Sequence, residues 1–236
     1  MKKIIVPILI LVLVFIIYKF NDKNLIDYMV IGDSISLGIN SYGNKTYGYN
    51  DYLKIYLENN DMLHKYNDYF CKSNYTVKEL TNDITNNKNI LYNDKKYNIR
   101  KELREADLLT ISIGMDEIVK ILNEDNNNFN NIKNDLDNMI IDMNNLLKKI
   151  TELSKSKIIL IGYYNPSTNY NKNTDTIFAY ISDKYTSLAK KYNIQYVDIY
   201  NLIKQDKSYI PNKMDYHITT RAYLKITNKI IEQNNL

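Results

Sequence analysis

Five short runs of apolar, mostly β-branched residues constrain the fold more than any other feature of this sequence. The runs cover residues 28–31, 69–71, 108–113, 157–161 and 194–197. Longer stretches with apolar residues at helical spacing lie between them. Strands that alternate with helices indicate βαβ units and a parallel sheet with helices on both faces. We therefore predict an α/β fold with five parallel strands.

The helical stretches also predict which side chains enter the core. Apolar residues at helical spacing share one face of a helix, and that face is expected to cover the sheet. The four sets are Tyr52, Ile55, Tyr56 and Leu57; Ile132, Leu136, Met139, Ile140, Met143, Leu146, Leu147 and Ile150; Ile177, Tyr180, Ile181, Tyr185, Leu188 and Ala189; and Leu224, Ile226, Ile230 and Ile231. The Asn-rich stretch 123–131 is predicted to be a surface loop.

Composition is that of a globular protein and argues against several functions. The 236 residues are 44% hydrophobic and 25% charged, which suits one well-cored domain. Basic and acidic residues are interspersed, with a net charge of +4 and no basic stripe of the kind that binds nucleic acid. The single cysteine, Cys71, has no internal disulfide partner. No Cys/His cluster has the spacing of a zinc site, so no bound metal is expected. Because the charges are interspersed, nucleic acid is not expected as a partner either.

Residues 1–23 are predicted to be a signal anchor before a domain of residues 24–236. Lys2 and Lys3 precede an apolar run at 4–18, and no small-residue cleavage site follows it. The run is near the lower limit for a bilayer span, and the lysines favour a cytoplasmic N-terminus. We predict a single-pass membrane helix, membrane contact through residues 4–20 and an extracytoplasmic domain. A cleaved signal peptide and a buried core segment are the alternatives.

Two groups of reactive residues fall at predicted strand ends, where open parallel sheets carry their sites. Gly32-Asp33-Ser34 follows the first apolar run, and the glycine permits a tight strand-to-helix turn that exposes the Ser34 hydroxyl. Asp215-Tyr216-His217 precedes the last helix. A serine nucleophile needs a base, usually His, and an acid that orients the imidazole. The other histidine, His64, falls in a polar link and is expected at the surface.

These segments resemble the sequence blocks of SGNH hydrolases, the GDSL-type lipases/acylhydrolases. Residues 32–36, Gly-Asp-Ser-Ile-Ser, are similar to the first block, and residues 73–76, Ser-Asn-Tyr-Thr, to the second. Residues 109–117 resemble the third, a strand that ends in Gly-x-Asn-Asp. Residues 211–217, followed by Tyr223, resemble the last block, and residues 162–166 resemble a Tyr-Asn-Pro turn of bacterial members. The resemblance covers residues 28 to about 231.

The resemblance implies a three-layer α/β/α fold of flavodoxin-like type. It also implies ester hydrolysis through an acyl-Ser34 intermediate, with an ester substrate and without metal or cofactor. Ser34 would be the nucleophile, His217 the base and Asp215 the acid that orients it. The fourth-strand turn contributes Tyr164 and Asn165 to the loops expected near the substrate.

The resemblance also implies an oxyanion site, formed by the backbone N–H of Ser34 with the residues at positions 74 and 116. Asp33, beside the nucleophile, is expected in the same loop. The family's Gly is replaced by Asn74, whose backbone N–H can still donate because Asn tolerates left-handed backbone angles. The family's Asn is replaced by Asp116: an ionised carboxylate cannot donate a hydrogen bond, whereas a carboxylic acid that a buried, apolar setting keeps neutral can. A lost oxyanion donor typically costs about 3 kcal/mol.

A third departure concerns the acid, since Asp215 precedes His217 by two residues where the common family spacing is three. Three functions stay open at this point. The first is an active extracytoplasmic esterase, favoured by the retention of Ser34 and His217. The second is a degenerate member that acts as a binding module, favoured by the loss of the Asn and Gly donors. The third is an O-acyltransferase on envelope polymers, which would use the same residues.

Overall fold

The strands of the computed structural model, which describes residues 25–124, 129–166 and 172–236, form one sheet and one hairpin. They are β1 Ile26–Gly32, β2 Leu63–Cys71, β3 Asn89–Tyr92, β4 Lys95–Asn98, β5 Leu108–Ser112, β6 Lys157–Ile161 and β7 Gln195–Val197. In the described residues the sheet has five strands in the order β2-β1-β5-β6-β7, and every neighbouring pair is parallel. Strands β3 and β4 form a separate antiparallel hairpin.

The sheet confirms the predicted five-stranded α/β architecture. Counting its own strands alone, the order is 2-1-3-4-5, which is the flavodoxin-like order. All residues of β5 are buried, as are the last five of β1 and the last four of β6. Continuous apolar runs of this kind are typical of parallel strands that helices cover on both faces.

The helices form two groups that flank the sheet. They are α1 Tyr49–Asn59, α2 Val77–Thr85, α3 Ile99–Glu105, α4 Met115–Glu124, α5 Phe129–Leu153, α6 Lys172–Tyr192, α7 Tyr200–Lys204 and α8 Thr220–Asn234, with a 3₁₀ turn at Lys207–Tyr209. Helix α5 packs against α2, α3, α4 and α6, whereas α1 packs against α8, which also contacts α7. The predicted helix at 132–150 is thus the central part of α5.

Several details differ from the sequence prediction. Strand β2 begins at Leu63 rather than at 69, so His64 lies within a strand, although its side chain is exposed as expected and pairs with Asp27. The hairpin of β3 and β4 was not predicted. Of the 123–131 stretch, Asn123 lies in the last turn of α4, and Asn130 and Asn131 lie in the first turn of α5, so these parts are exposed helix rather than loop.

The predicted buried faces are largely right for α5 and α6 and partly wrong for α1 and α8. In α1 only Leu57 of the predicted set is buried, because the helix turns Tyr49 and Leu53 towards the core. In α8 the predicted Leu224 is 40% exposed, while Ala222 and Tyr223 are buried in its place. Both helices therefore face the sheet with a stripe that is rotated relative to the predicted one.

The predicted membrane helix at residues 1–23 lies outside the described residues. Among the residues that the structure does describe, no helix combines the length and the apolar character needed to cross a bilayer.

Gly32 ends β1 at a point where no side chain fits. Its φ angle is +152°, and a Cβ built there would lie 1.8 Å from the carbonyl oxygen of Ser112 on β5. The close approach lets Ser112 accept a hydrogen bond from the N–H of Asp33 at 3.0 Å. The strand-to-loop turn that follows therefore depends on glycine.

We expect Gly32→Ala to destabilise the domain by at least about 3 kcal/mol, because the backbone of two strands would have to separate. Gly43→Ala is the matched control. Gly43 also has a positive φ, +74°, but nothing lies within 4 Å of its Cβ position, so only about 1 kcal/mol of backbone strain is expected. Thermal unfolding of both variants measures the difference, and equal losses would contradict the close-packing argument.

Candidate active site

The loop after β1 positions Ser34 at the carboxyl edge of the sheet. The N–H of Leu37 donates to the Asp33 carbonyl at 3.1 Å, and the N–H of Ile39 donates to the Ser34 carbonyl at 3.1 Å. These bonds form a single turn, not the helix that the sequence predicted directly after the strand; α1 begins only at Tyr49. Ser34 is 4% exposed.

Asp33 joins this loop to the loop after β5. Its side chain is fully buried, and its two carboxylate oxygens accept hydrogen bonds from the N–H groups of Ile35 and Met115, each at 3.1 Å. Burial raises the pKa of Asp33 to about 7, although the N–H groups of Met115 and Ile35 act in the opposite direction. The side chain thus holds together the backbone segments next to Ser34 and Asp116.

The loop before α8 places the carboxylate of Asp215 beside the ring of His217. Nδ1 of His217 lies 2.6 Å from Oδ1 of Asp215, and the same oxygen accepts the backbone N–H of His217 at 2.8 Å. A carboxylate accepts hydrogen bonds, so the Nδ1 proton is donated to Asp215, and in the neutral ring Nε2 then carries the lone pair. The two-residue spacing of Asp215 and His217 is therefore compatible with pairing.

A second set of contacts joins Ser34 to Asp116 through Tyr216. Oγ of Ser34 lies 3.2 Å from the Tyr216 hydroxyl, and that hydroxyl donates to Oδ1 of Asp116 in the first turn of α4. Burial, followed by the bond to Asp116, raises the pKa of Tyr216 well above its ordinary value. Oδ2 of Asp116 and Nε2 of His217 are buried and have no hydrogen-bond partner in the described part of the chain.

Asn74 lies in the loop after β2, the strand beside β1. Its φ angle is +56°, so it adopts the left-handed conformation expected for a position where relatives have Gly. The N–H of Lys72, at the start of the loop, donates to the Gly32 carbonyl at 3.0 Å. At its other end, the N–H of Val77 donates to Glu117 at 3.1 Å. Both ends of the Asn74 loop are therefore fixed to elements that carry Ser34 and Asp116.

Further buried groups support the His217 loop. The hydroxyl of Tyr164 donates to the Tyr216 carbonyl at 3.0 Å, and that of Ser41 donates to the His217 carbonyl at 2.7 Å. Tyr164 and Asn165, predicted in a substrate loop, are each 1% exposed. Tyr164 therefore supports the His217 loop through its hydroxyl, and Asn165, next to it in the chain, is buried as well.

Sequence reasoning did not assign a role to Tyr216 or Ser41. Tyr216 stands between the predicted acid and base, and this position is the one signal in the sequence that draws attention to it. Ser41 belongs to no recognisable motif. Their contacts join residues that are 182 and 176 positions apart, so only the folded structure reveals them.

Cys71 ends β2 close to this edge but has the features of an inert thiol. Burial raises the pKa of the Cys71 thiol well above its ordinary value, and its Sγ contacts the Val30 carbonyl at 3.5 Å. Low thiolate content makes a cysteine a poor nucleophile. In residues 25–124, 129–166 and 172–236, no group of three or more His, Cys, Asp or Glu side chains could hold a metal ion.

With this geometry in place, comparisons with known proteins identify the class. The family described as GDSL-like Lipase/Acylhydrolase matches residues 28–230, which is most of the chain. The chain therefore belongs to the GDSL-like lipase/acylhydrolase family, a class of ester hydrolases with the SGNH fold. No curated protein sequence is detectably similar to it.

Solved structures share the fold at low sequence identity. The lipase Lip_vut3 from a goat rumen metagenome is 19% identical, with a TM-score of 0.71 over 88% of this chain and 96% of that one. Axe2, an acetylxylan esterase from Geobacillus stearothermophilus, is 17% identical, with a TM-score of 0.65 over 91% and 97% of the two chains. Three of the other matching Axe2 structures are described as catalytic mutants, in which a Ser, an Asp or a His is replaced by Ala.

The raised pKa of Asp33 predicts how stability changes with pH. Because the folded state holds this proton more tightly than the unfolded state, the contribution is favourable in acid and is lost as pH rises from about 4 to about 7. The loss is on the order of 1 kcal/mol per pH unit. Asp33→Asn cannot ionise, so its melting temperature should vary less with pH across this range than that of the unaltered protein. Parallel curves for the two proteins would contradict the assignment.

Proposed function

We propose that this protein is an extracytoplasmic serine esterase that cleaves carboxylic esters through an acyl-Ser34 intermediate. The observation that carries the proposal is the contact of 2.6 Å between Asp215 and His217 Nδ1, at the same sheet edge as Ser34. In the neutral imidazole this contact places the proton on Nδ1 and leaves the lone pair on Nε2, which is the form of the base that a serine nucleophile requires.

In the first half of the reaction, Nε2 of His217 takes the proton of Ser34 as Oγ attacks the ester carbonyl. The new C–O bond forms while the carbonyl π electrons move onto oxygen, and the backbone N–H groups of Ser34 and Asn74 are suited to bind that oxyanion. The tetrahedral intermediate collapses, the bond to the alcohol breaks, and His217 returns its proton to the departing alkoxide. Asp215 stabilises the imidazolium that exists between the two transfers.

In the second half, His217 removes a proton from water, which attacks the acyl-Ser34 carbonyl. The acyl–Oγ bond then breaks, His217 gives its proton back to Oγ, and the free carboxylic acid leaves. An alcohol in place of water would give acyl transfer by the same steps, so the two activities differ in the acceptor rather than in the protein groups.

A short acyl group, including O-acetyl, is the substrate class we propose first. The similarity to an acetylxylan esterase and to a lipase supports esters in general, and the carboxylate at position 116 reduces the number of oxyanion donors. A reactive aryl acetate is therefore the appropriate first substrate, because its good leaving group lowers the demand on the oxyanion site.

A binding module without activity is the second candidate. It is favoured by the contact of Ser34 with Tyr216, since the nucleophile is bound to a residue other than its base. In such a protein the site would bind an ester or a glycan without cleaving it.

We expect a serine-directed phosphonate to label Ser34 in a protein that begins at residue 24. Ser34→Ala should abolish labelling and lower aryl acetate hydrolysis by about 10⁴-fold or more, and His217→Ala should lower hydrolysis to a similar extent. Mass spectrometry of the labelled peptide and initial-rate kinetics provide the measurements.

Cys71→Ser is the matched control, because it changes the other candidate nucleophile at this edge. Its labelling and its rate should equal those of the unaltered protein. A Cys71→Ser variant that loses activity while Ser34→Ala retains it would show that the wrong nucleophile has been assigned, and a protein that is neither labelled nor active would favour the binding module.

For the location, we propose that the apolar run at 4–18 anchors the domain to the outer face of the membrane. The support is the sequence pattern alone: lysines before the run, a lysine after it and no cleavage site.

Fractionation of cells that express the full chain tests this proposal. The protein should remain with membranes after a high-salt wash, retain its first residues and be accessible to protease from outside. A version that begins at residue 24 is the control and should be released without detergent. A full-length product that is soluble and lacks about twenty N-terminal residues would instead mean a cleaved signal peptide.

A further inference from the structure

The three side chains Ser34, Tyr216 and Asp116 form a hydrogen-bonded chain whose direction can be read from the number of protons. A tyrosine hydroxyl has a single proton. Tyr216 donates that proton to Oδ1 of Asp116. In the contact of 3.2 Å with Ser34, Tyr216 can therefore act only as acceptor, and Ser34 is the donor.

The direction of this chain opposes the proposed first step. Ser34 also has one hydroxyl proton, and it points at Tyr216. The Nε2 atom of His217, which should receive that proton, is buried and has no partner among the described residues. In this arrangement the nucleophile and its base are therefore not joined by a hydrogen bond.

We infer that Tyr216 is a positioning residue that turns the Ser34 hydroxyl either away from His217 or towards it, according to the group at position 116. The inference rests on the proposed esterase function. A carboxylate at 116 accepts from Tyr216, and Tyr216 then accepts from Ser34. An amide at 116 has an NH2 group as well as an oxygen, and when the NH2 group faces Tyr216 both bonds are reversed: residue 116 donates to Tyr216, Tyr216 donates to Oγ, and the Ser34 proton is free to point at His217.

The reversed direction also changes how Tyr216 affects the charge that develops during attack. As Oγ loses its proton to His217, a donating Tyr216 hydroxyl at 3.2 Å stabilises the negative charge on Oγ. In the present direction the oxygen lone pair of Tyr216 faces that charge instead. The same hydroxyl is thus unfavourable when residue 116 is an ionised Asp and favourable when residue 116 is an amide.

The contacts of the Tyr216 ring and backbone are independent of its hydroxyl, so the hydroxyl can be removed by itself. The tyrosine ring stacks on the His217 ring, with centroids 4.2 Å apart and an interplanar angle of 26°. The carbonyl of Tyr216 accepts the Tyr164 hydroxyl at 3.0 Å. Tyr216→Phe retains the ring and the backbone, so it removes only the hydroxyl.

Four proteins test the inference: the unaltered chain, Asp116→Asn, Tyr216→Phe and the double variant. For each, kcat and KM for an aryl acetate and the rate of phosphonate labelling are measured. Asp116→Asn should raise kcat, because the NH2 group of the introduced amide can donate to Tyr216 and so reverse the chain. Tyr216→Phe should raise kcat by about 3- to 10-fold in the unaltered background, which corresponds to one hydrogen bond of typical net strength.

The decisive result is a change of sign. In the Asp116→Asn background, Tyr216→Phe should lower kcat by about 3- to 10-fold, because there the hydroxyl donates to Oγ. KM should change little in either background. A purely structural role, or a direct contact of residue 116 with the oxyanion, predicts the same sign in both backgrounds, and that outcome would overturn the inference.

The design separates failure of this inference from failure of the esterase proposal. If none of the four proteins is labelled or active, Ser34 is not a nucleophile, and both proposals fall. If the proteins react but Tyr216→Phe acts with one sign, only the inference falls. Tyr216→Phe alone leaves the Asp116 carboxylate without a donor, so it is the variant most exposed to misfolding. The Asp116→Asn pair contains no such carboxylate, and a rise or no change in kcat within that pair is sufficient to overturn the inference.

Discussion

The carboxylate of Asp33, buried between the ends of β1 and β5, is the interaction on which the arrangement of this site depends. One of its neighbours in the chain is Ser34, and the residue whose N–H it binds, Met115, is the neighbour of Asp116. The distance between Ser34 and residue 116 is therefore constrained by backbone hydrogen bonds to a single side chain. Gly32 makes the contact possible, because only a residue without a Cβ lets the strand ends approach so closely. Placing the Asp33 carboxyl group inside the sheet edge removes it from water, and this desolvation raises its pKa.

The sequence predicted the strands that are apolar well. It predicted less well the strand whose buried polar residues bond to a distant part of the chain. Strands β1, β5 and β6 are continuous apolar runs, and their positions could be read directly. Strand β2 begins with Leu-His-Lys-Tyr-Asn, which resembles a polar link. Its Asn67 is nevertheless buried, because Glu102 of α3 accepts its amide at 2.6 Å and also pairs with Lys65. No local pattern indicates such a partner 35 residues away, and the short Tyr- and Asn-rich hairpin of β3 and β4 is equally featureless.

For the site, the sequence predicted the features that arise within one short stretch of chain. It did not predict the contacts between side chains of different loops. The pairing of Asp215 with His217 needs only a short loop, and the left-handed backbone at Asn74 follows from what Asn tolerates. In contrast, the sequence placed Asp116 at an oxyanion position without revealing that Tyr216 stands between it and Ser34. A substitution in one motif and a tyrosine in another meet only after folding, so neither can be interpreted alone.

The negative charge of an ionised Asp116 opposes attack by Ser34 as much as the loss of a hydrogen-bond donor at this position does. Two hydrogen bonds separate the Asp116 carboxylate from Ser34 Oγ. Two full negative charges about 5 Å apart repel by about 3 kcal/mol at an effective dielectric constant of about 20. That is comparable with the loss of an oxyanion donor, about 3 kcal/mol. Tyr216 reduces the repulsion by donating to Asp116, but the same bond turns its oxygen towards the nucleophile. In the proposed mechanism Asp215, which pairs with Nδ1 of His217, acts in the favourable direction, since a carboxylate stabilises the imidazolium. Asp116 and Asp215 thus have opposite effects on the attack by Ser34. The balance between these effects depends on the direction in which the Tyr216 hydroxyl points.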